Sequence, residues 1–232
     1  MNNIVDKLNN PDCEINQIIV NVDEYNFLSE NRLLIPFVNK WGRIGVMNNN
    51  GEVVLEPNYY SIRGNCYNEN DILIIGLVKP KAYERKSGSP SIYMYNNFGV
   101  IDFRGRWIID LDPGFMEIYP SDDNKTLTVR DFNYFYGVVD STGKEIVPVG
   151  TYGYIDTFYK GLARVKSGNK WGIINHKGEV VVPIEYDKIW NFYGKNCTIK
   201  AIKNNISKEF FFEQLEPHLK NYGTPPKIIA SI

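Results

Sequence analysis

Two carboxylates, Asp102 and Asp140, occupy the same position in two copies of a repeated sequence frame, each shortly before a glycine. An aspartate at a recurring position could act as a general acid or base, or could bind calcium. Two further copies of the frame carry Asn48 and Asn175 at this position. An amide cannot exchange protons as a carboxylate does, whereas Asp and Asn both suit the first position of a type I turn. The pattern therefore predicts a structural turn and no catalytic role for these aspartates.

The remaining polar groups form no recognisable catalytic or metal-binding motif. His176 lies at a variable position of a turn and His218 lies near the C-terminus, so a shared metal site would require chance folding. Two pairs of neighbouring acids could meet in a cleft, but they are interpreted as solvated loop residues. These pairs are Asp110 with Asp112 and Asp122 with Asp123. We predict no catalytic residue, no cofactor and no metal.

The repeated frame itself predicts a β-hairpin. It consists of a large apolar residue and Gly, two apolar residues, Asp or Asn, two variable residues and Gly. The short polar side chain bonds the backbone two residues on, and the final Gly closes the turn in the left-handed conformation. We therefore expect hairpin turns with a Gly bulge. The four copies are Ile44–Gly51, Phe98–Gly105, Tyr136–Gly143 and Trp171–Gly178.

An apolar strand precedes each frame, and another follows its final glycine. The strands after the turns, such as Glu52–Leu55 and Glu179–Val182, are nearly continuous in apolar residues, which predicts burial on both faces. Each unit is then a three-stranded antiparallel meander followed by a bend, and the predicted fold class is an all-β tandem repeat. The units cover roughly residues 33–63, 71–119, 126–156 and 161–193.

The two ends of the chain resemble complementary half-units. Residues 17–27 resemble a third strand and bend, and residues 197–213 resemble first and second strands without a third. In one architecture the N-terminal strand completes the C-terminal sheet and closes a five-unit, propeller-like ring. In the other, the half-units cap an open solenoid. Ring closure is the preferred hypothesis, and it requires residues 17–22 to lie beside residues 198–212.

An insertion, residues 79–90, lengthens one interval between frames and is expected to form a protruding hairpin loop. Insertions in repeat arrays often fall on the binding face. Basic residues surround an aromatic one, with only Glu84 opposing, so the insertion could dock on an acidic protein surface. It could equally be a charged loop without a partner. The candidate partner-contact residues are Lys79, Lys81, Tyr83, Arg85 and Lys86.

Aromatic residues make up 14% of the chain, and many lie in the bends. Core filling or pairing between units is the preferred interpretation, although exposed aromatics could line a ligand groove. Trp171 is expected to be structural, because bulky residues of other types replace it in the other units. The bend aromatics are Tyr59, Tyr60, Tyr152, Tyr154, Tyr186, Trp190, Phe192 and Tyr193.

Length and charge limit the classes of protein to consider. At 232 residues we expect a single domain, residues 1–232, and a net charge of -1 without a basic stripe argues against nucleic acid as a partner. No apolar run approaches the roughly 20 residues that cross a bilayer, and the first residues lack a signal-peptide pattern. We therefore expect a cytoplasmic protein without a membrane partner. The cysteines, Cys13, Cys66 and Cys197, are far apart and are expected to be free thiols.

The segment Asn169–Pro183, with Gly161–Val165 before it, resembles the WG-repeat (KWG) family of bacterial β-repeat proteins. It reads Asn-Lys-Trp-Gly-Ile-Ile-Asn-His-Lys-Gly-Glu-Val-Val-Val-Pro. The resemblance extends more weakly over residues 33–193, where Ile, Phe or Tyr replaces the namesake Trp. Asn39-Lys-Trp-Gly42 matches in composition but lies ahead of the turn spacing. The resemblance implies a repeat scaffold for protein or ligand contacts and no shared catalytic residues.

These observations favour a non-enzymatic protein-interaction module of a bacterial cytoplasm, for example an immunity protein that masks a toxin. The oligomeric state and the partner are left open. The alternative is a glycan or small-molecule binding protein, or a hydrolase, that uses bend aromatics and loop carboxylates. It would require a pocket in which at least two acids converge beside exposed aromatics. A third possibility, a structural spacer, predicts neither a pocket nor a distinctive patch.

Overall fold

The computed structural model describes residues 15–18, 33–39, 41–64, 66, 69–84, 90–111, 114–192 and 198–215. These residues form five antiparallel sheets, and their one helix is the single turn α1 (Phe212–Leu215). The predicted all-β tandem repeat is confirmed. In the described part of the chain, no helix is long and apolar enough to cross a membrane.

The strands follow one another in chain order within each sheet. The first sheet contains β1 (Ile15–Ile18), β2 (Leu34–Asn39), β3 (Ile44–Asn48) and β4 (Val53–Tyr59). The second contains β5 (Ser61–Arg63), β6 (Ile72–Glu84), β7 (Pro90–Asp102) and β8 (Trp107–Ile109). The third contains β9 (Glu117–Pro120), β10 (Thr126–Arg130), β11 (Tyr136–Asp140) and β12 (Glu145–Tyr152). The fourth contains β13 (Tyr154–Ile155), β14 (Leu162–Ser167), β15 (Lys170–Asn175) and β16 (Val180–Tyr186). The fifth contains β17 (Lys188–Ile189), β18 (Thr198–Lys203) and β19 (Ile206–Phe211).

The bends between the predicted units are themselves short strands. A single residue, Tyr60, Gly153 or Asp187, separates the last strand of one sheet from the first strand of the next at three of the four junctions. After this one residue, the chain forms the first strand of the next sheet. The repeating unit is a four-stranded meander, one strand more than predicted, because the residues of the bend form the first edge strand.

The N-terminal strand joins the first sheet and not the last one. In β1, Gln17 pairs with Val38 and Ile18 pairs with Phe37, both in β2. The prediction that this strand completes the C-terminal sheet is therefore wrong, because β1 takes the edge position that β5, β9, β13 and β17 take in the other sheets. Residues 19–27 of the predicted N-terminal half-unit lie outside the described residues. The two strands predicted for the C-terminal half-unit are β18 and β19, and they form the last sheet together with the bend strand β17.

The hydrophobic core lies between consecutive sheets. Alternate side chains of a strand point to opposite faces of its sheet. In β6, Leu73 and Ile75 pack with residues of the first sheet, whereas Ile72 and Ile74 pack with residues of the third. Equivalent clusters join the third sheet to the fourth and the fourth to the fifth. The two central strands of each four-stranded sheet are therefore the ones buried on both faces.

The strands after the turns are less buried than their composition predicts. Val53 and Val180 are 46% and 49% exposed, whereas Leu55 and Val182 in the same strands are buried. Burial on both faces is wrong for these strands because each forms the outer edge of its sheet. Their β-branched residues reflect strand propensity at a half-buried surface.

The glycines that close the turns also make contacts between units. Gly105, Gly143 and Gly178 have φ values of +77°, +86° and +80°, as the predicted turn requires. Each lies against a residue in the last strand of the preceding sheet. The contacts are Gly105 with Val54, Gly143 with Ile108 and Gly178 with Ile146.

Candidate functional site

The longest strands of the protein form a ribbon that extends beyond its sheet. β6 and β7 pair from Ile72 with Asp102 to Glu84 with Pro90. β5 pairs with β6 no farther along than Gly76. On the other side, Phe115 forms the last described bridge to β7, at Phe98. Residues 77–84 and 90–97 therefore form a two-stranded ribbon, called the arm below. The insertion between frames is a hairpin, as predicted, but paired strands occupy most of it.

The arm contains the candidate partner-contact residues. The backbone of Lys79 pairs with Tyr95, and that of Lys81 pairs with Tyr93. Tyr83 pairs with Ser91 one step farther along. The other two candidates, Arg85 and Lys86, lie outside the described residues. The described backbone thus brings three of the five candidates onto one strand of the arm.

A cavity of about 480 Å³ lies beside the base of the arm, where the second and third sheets meet. We call it the aromatic cleft. Its lining includes Arg63, Phe98, Met116, Glu117, Tyr119 and Tyr134, and it reaches the arm at Asn96. Tyr119 and Tyr134 are 40% and 62% exposed, so both rings present aromatic surface to solvent.

The charged residues of the aromatic cleft differ in their pairing. The carboxylate of Glu117 accepts a hydrogen bond from Nη1 of Arg130 at 2.9 Å, so its charge is neutralised. The guanidinium of Arg63 stacks 4.4 Å from the ring centre of Phe98. Among the described residues, Arg63 has no carboxylate partner. The aromatic cleft therefore offers one unpaired positive charge.

Tyr119 is held as a neutral phenol beside Glu117. Burial raises the pKa of Tyr119, and the negative charge of Glu117 and a hydrogen bond to it raise this pKa further. A neutral phenol can donate a hydrogen bond while its ring packs against apolar groups. Tyr119 can thus contact a polar or an apolar partner.

Tyr134 has an unusual backbone conformation. It closes a turn in which Oδ1 of Asp131 accepts hydrogen bonds from the backbone N–H groups of Asn133 and Phe135. Its φ is +69°, a value that Gly adopts at the same place in the other turns. Strained residues of this kind concentrate at functional sites. Sequence inspection missed this site, but a bulky residue three positions after Asp131, where the turn pattern favours Gly, is the signal that points to it.

The repeated aspartates have the predicted turn role. Oδ1 of Asp102 accepts hydrogen bonds from the backbone N–H groups of Arg104 and Arg106, each at 2.9 Å. Asn48 makes the same pair of bonds through its amide oxygen, with Asn50 and Glu52. The side-chain oxygens of Asp140 and Asn175 are bonded in the same way.

Ionisation of the turn aspartates is favoured by these bonds. Burial opposes the charge of Asp102, but hydrogen bonds from Arg106 and Arg104 outweigh it and hold the pKa of Asp102 below its ordinary value. For Asp140, burial is likewise outweighed by hydrogen bonds from Thr142 and Lys144, and its pKa is lowered. Both aspartates are therefore charged near neutral pH.

A second cavity, of about 420 Å³, contains acids but little aromatic surface. Asp71, Asp102 and Asp123 line it together with Phe103. Asp102 forms an ion pair with Arg106 at 2.7 Å, and Asp123 forms one with Lys125 at 3.1 Å. Among the described residues, the converging aspartates thus line this cavity and the exposed tyrosines line the aromatic cleft. The hydrolase alternative requires converging acids and exposed aromatics in the same pocket.

Of the two pairs of neighbouring acids, only Asp122 with Asp123 lies wholly within the described residues, and its members bind different groups. Asp122 accepts a hydrogen bond from the backbone N–H of Lys160, whereas Asp123 accepts one from the hydroxyl of Ser121. Asp110 is exposed, and its partner residue Asp112 lies outside the described residues. The structure therefore assigns Asp122 and Asp123 to separate loop contacts.

Of the two histidines, His176 lies within the described residues. His176 lines a shallow cavity with Asp140 and Lys144. The described residues hold no group of three or more His, Cys, Asp or Glu side chains that could bind a metal. His218 lies outside the described residues.

Most bend aromatics pack between units, which agrees with the interpretation that we preferred from the sequence. The ring of Tyr154 lies edge-on to Tyr136 at 5.1 Å and to Trp171 at 5.8 Å, so it links the third and fourth sheets. Tyr186 and Phe192 are buried in the cluster between the fourth and fifth sheets. Two bend aromatics are exposed, and each stacks with a cation. These contacts are Tyr60 with Arg43 and Trp190 with Lys188; Tyr193 lies outside the described residues.

Comparison with known proteins connects the repeats to one family. The family model for the WG containing repeat matches residues 44–70, 136–171 and 171–200. The matched regions include the turn frames of the first, third and fourth sheets, and the arm lies between them. No curated protein matches the chain. Three regions of the chain thus match the WG containing repeat, in agreement with the resemblance of the sequence to that family.

Proposed function

We propose that this protein is a non-enzymatic protein-interaction module, and that the arm and the aromatic cleft bind its partner. The observation that carries the proposal is the arm, because it departs from an otherwise regular series of packed sheets. Repeats of this type bury their cores against their neighbours, and insertions supply binding surfaces. The arm meets a cavity with exposed aromatic residues at its base.

The chemistry of the aromatic cleft supports a protein partner. Tyr and Arg are enriched among the residues that contribute most to binding energy in protein interfaces. The aromatic cleft combines Tyr119 and Tyr134 with the guanidinium of Arg63. The insertion adds Lys79 and Lys81, so the whole surface favours an acidic partner.

A finer form of this proposal is an immunity protein that masks an acidic surface of a toxin in a bacterial cytoplasm. Its test is co-expression with a toxin encoded beside its gene. The proposal expects cell survival to depend on the wild-type chain and to be lost with the double variant Lys79→Glu/Lys81→Glu. Survival that is unaffected by the chain would contradict the immunity role.

The interaction proposal is tested by affinity purification of the tagged full-length chain from its native host. The expected result is a stoichiometric partner that the Lys79→Glu/Lys81→Glu variant recovers at a roughly tenfold lower yield. Lys177→Glu is the matched control, since Lys177 is an exposed lysine of a turn in the fourth sheet. Repeated purification without a stoichiometric partner would contradict the proposal, as would equal recovery by both variants.

A small-molecule or glycan ligand is the second candidate function. The volume of the aromatic cleft, about 480 Å³, lies in the range of ligand pockets, and exposed tyrosines could stack on a sugar ring. The test is a glycan array. A glycan that binds the wild type and does not bind Tyr134→Ala would favour this candidate over a protein partner.

A further inference from the structure

One edge of the arm, next to the aromatic cleft, presents main-chain groups that pair with no strand among the described residues. The N–H of Phe98 donates to the carbonyl of Phe115 at 2.7 Å, and the carbonyl of Phe98 accepts from the N–H of Phe115 at 3.0 Å. Alternate residues of an antiparallel strand direct their main-chain groups to the same edge. Asn96, Met94 and Ile92 therefore direct theirs to the edge that lies beyond Phe115. No strand in the described part of the chain pairs with this edge.

The opposite edge of the arm is less suited to strand pairing. The carbonyl of Gly76 accepts a hydrogen bond from the N–H of Tyr60, so Gly76 faces that edge. By the same alternation, Val78, Pro80 and Ala82 face it too. Proline has no N–H, so Pro80 interrupts the row of donors, which is a common protection of exposed edges. The β7 edge keeps its donors at residues 92, 94 and 96.

The free edge of β7 leads directly to the aromatic cleft. Asn96 belongs to both, because it faces the edge and also lines the cavity. A strand paired with residues 92–96 would lie on the same edge of β7 as Phe115, and one of its ends would reach the cavity. The exposed rings of Tyr119 and Tyr134 would then cover a large apolar side chain of that strand.

Charge defines the occupant further. Arg63 lines the aromatic cleft and has no carboxylate partner among the described residues. Glu117, the acid of the lining, is already paired with Arg130. The insertion is basic as well, with Lys79 and Lys81 in β6. An acidic side chain on the added strand would complement this surface, whereas a basic one would face uncompensated positive charge.

We infer that the β7 edge of the arm binds an extended acidic peptide segment of the partner by β-strand addition, with a large apolar side chain of that segment in the aromatic cleft. This inference rests on the proposed function and specifies the chemistry of the partner. Main-chain hydrogen bonds would supply affinity, and the aromatic cleft with Arg63 would supply specificity, as in other cases of strand addition.

The inference is tested with a displayed library of random dodecapeptides selected on the full-length chain. The expected peptides carry Asp or Glu near a large apolar residue. Their affinity should fall roughly tenfold or more with Met94→Pro, which removes an outward N–H without removing a bond between β6 and β7. Ala82→Pro is the matched control, because it removes an N–H from the other edge and should leave the affinity unchanged. Thermal unfolding of both variants checks that the fold is kept.

N-methylated peptides identify the main-chain pairing directly. A paired strand donates every second N–H to its neighbour. Two versions of a selected peptide, one methylated at the odd and one at the even positions, should therefore differ: one should lose binding and the other should keep it. Arg63→Glu should remove the preference for acidic peptides. Binding that tolerates both methylation registers, or that is equal for Met94→Pro and the wild type, would overturn the inference, as would a library without selected peptides.

These outcomes separate the inference from the proposed function. If affinity purification yields a stoichiometric partner that binds Met94→Pro as tightly as the wild type, the inference fails and the interaction role stands. If the chain yields no partner, the interaction role itself fails. A concentration-dependent dimer in sedimentation that Met94→Pro abolishes would show that a second copy of the chain occupies the edge, and this result would also overturn the inference.

Discussion

Gly143 lies against the main-chain oxygen of Ile108 in the preceding sheet, so closely that a Cβ atom at Gly143 would overlap this oxygen. The turn that closes one unit therefore also contacts the unit before it. Gly178 approaches Ile146 of its preceding sheet less closely, since an added Cβ atom would lie 3.1 Å from the Ile146 side chain and 3.2 Å from its main-chain oxygen. Turn geometry and packing between repeats thus depend on the same residues, which explains why the turn frame recurs so regularly.

Gly143→Ala is expected to reduce the free energy of unfolding by about 2 to 4 kcal/mol, because it combines left-handed strain with a clash against backbone. Gly42→Ala is the matched control. Gly42 has a similar φ of +74°, but an added Cβ would meet no atom within 4 Å. It should cost about 1 to 2 kcal/mol from strain alone. Urea unfolding measures both, and equal losses would contradict the packing role of Gly143.

The turn role of Asp140 predicts that Asn can replace it. Asp140→Asn keeps the acceptor for the backbone N–H groups of Thr142 and Lys144, as Asn175 shows in the fourth sheet. This variant should lose less than about 0.5 kcal/mol of unfolding free energy at neutral pH. Asp140→Ala leaves those groups without the acceptor and should lose about 1 to 2 kcal/mol. Equal stability of the Asn and Ala variants in urea unfolding would argue against the turn role.

The depressed pKa values of the turn aspartates predict acid sensitivity. Burial opposes the charge of Asp140, but hydrogen bonds outweigh it and lower its pKa below the value near 4 of an unfolded chain. A depressed folded pKa contributes stability above the unfolded pKa, and the contribution is lost as the pH falls through the folded pKa. Asp102 and Asp123 have lowered pKa values for similar reasons.

The free energy of unfolding should therefore fall as the pH drops below about 4, and Asp140→Asn should reduce the slope of this fall. Urea unfolding at a series of pH values between neutral and strongly acidic measures the slope. If the wild type and Asp140→Asn lose stability in parallel over this range, the carboxylate of Asp140 does not contribute as described.

Trp171 is expected to tolerate replacement by another aromatic residue. Its ring packs edge-on to Tyr154 at 5.8 Å, and the equivalent residue in the third sheet is Tyr136. Trp171→Phe should cost less than about 1.5 kcal/mol of unfolding free energy, whereas Trp171→Ala should cost about 2 to 3 kcal/mol. Trp41, which is 64% exposed in a different turn, supplies the control Trp41→Ala with an expected loss under about 1 kcal/mol. A Phe variant as unstable as the Ala variant would indicate a specific need for the indole.

Local turn chemistry was the part of the fold that could be predicted from the sequence. The frame around Asp140 contains its own explanation, because a side-chain oxygen and a left-handed glycine close the turn within a few residues. The frame also predicted the strands beside it. The sequence Asn39-Lys-Trp-Gly42 forms the same type of turn between β2 and β3, where Oδ1 of Asn39 accepts from the N–H groups of Trp41 and Arg43. This segment resembles the family motif in composition because it also closes a turn with an Asn side chain and a Gly. It lies, however, in the hairpin before the one that holds the repeated frame.

Features that depend on neighbouring sheets could not be predicted in the same way. A strand such as Val180–Tyr186 reads as fully buried, but its exposure is decided by its place at the outer edge of a sheet. The pairing of β1 with β2 is likewise a choice among similar apolar strands, which local pattern cannot resolve. The aromatic cleft combines Arg63 and Phe98 of one sheet with Tyr119 of the next, residues far apart in the chain. Only the packing of two sheets brings them together.

The central claim, that the arm binds a protein partner, is tested most directly by the dissociation constant of the purified partner for three chains. Titration calorimetry would compare the wild type with Lys79→Glu/Lys81→Glu and with the control Lys177→Glu. We expect a dissociation constant that rises roughly tenfold or more for the double variant and stays unchanged for the control. The same affinity for all three chains would contradict it.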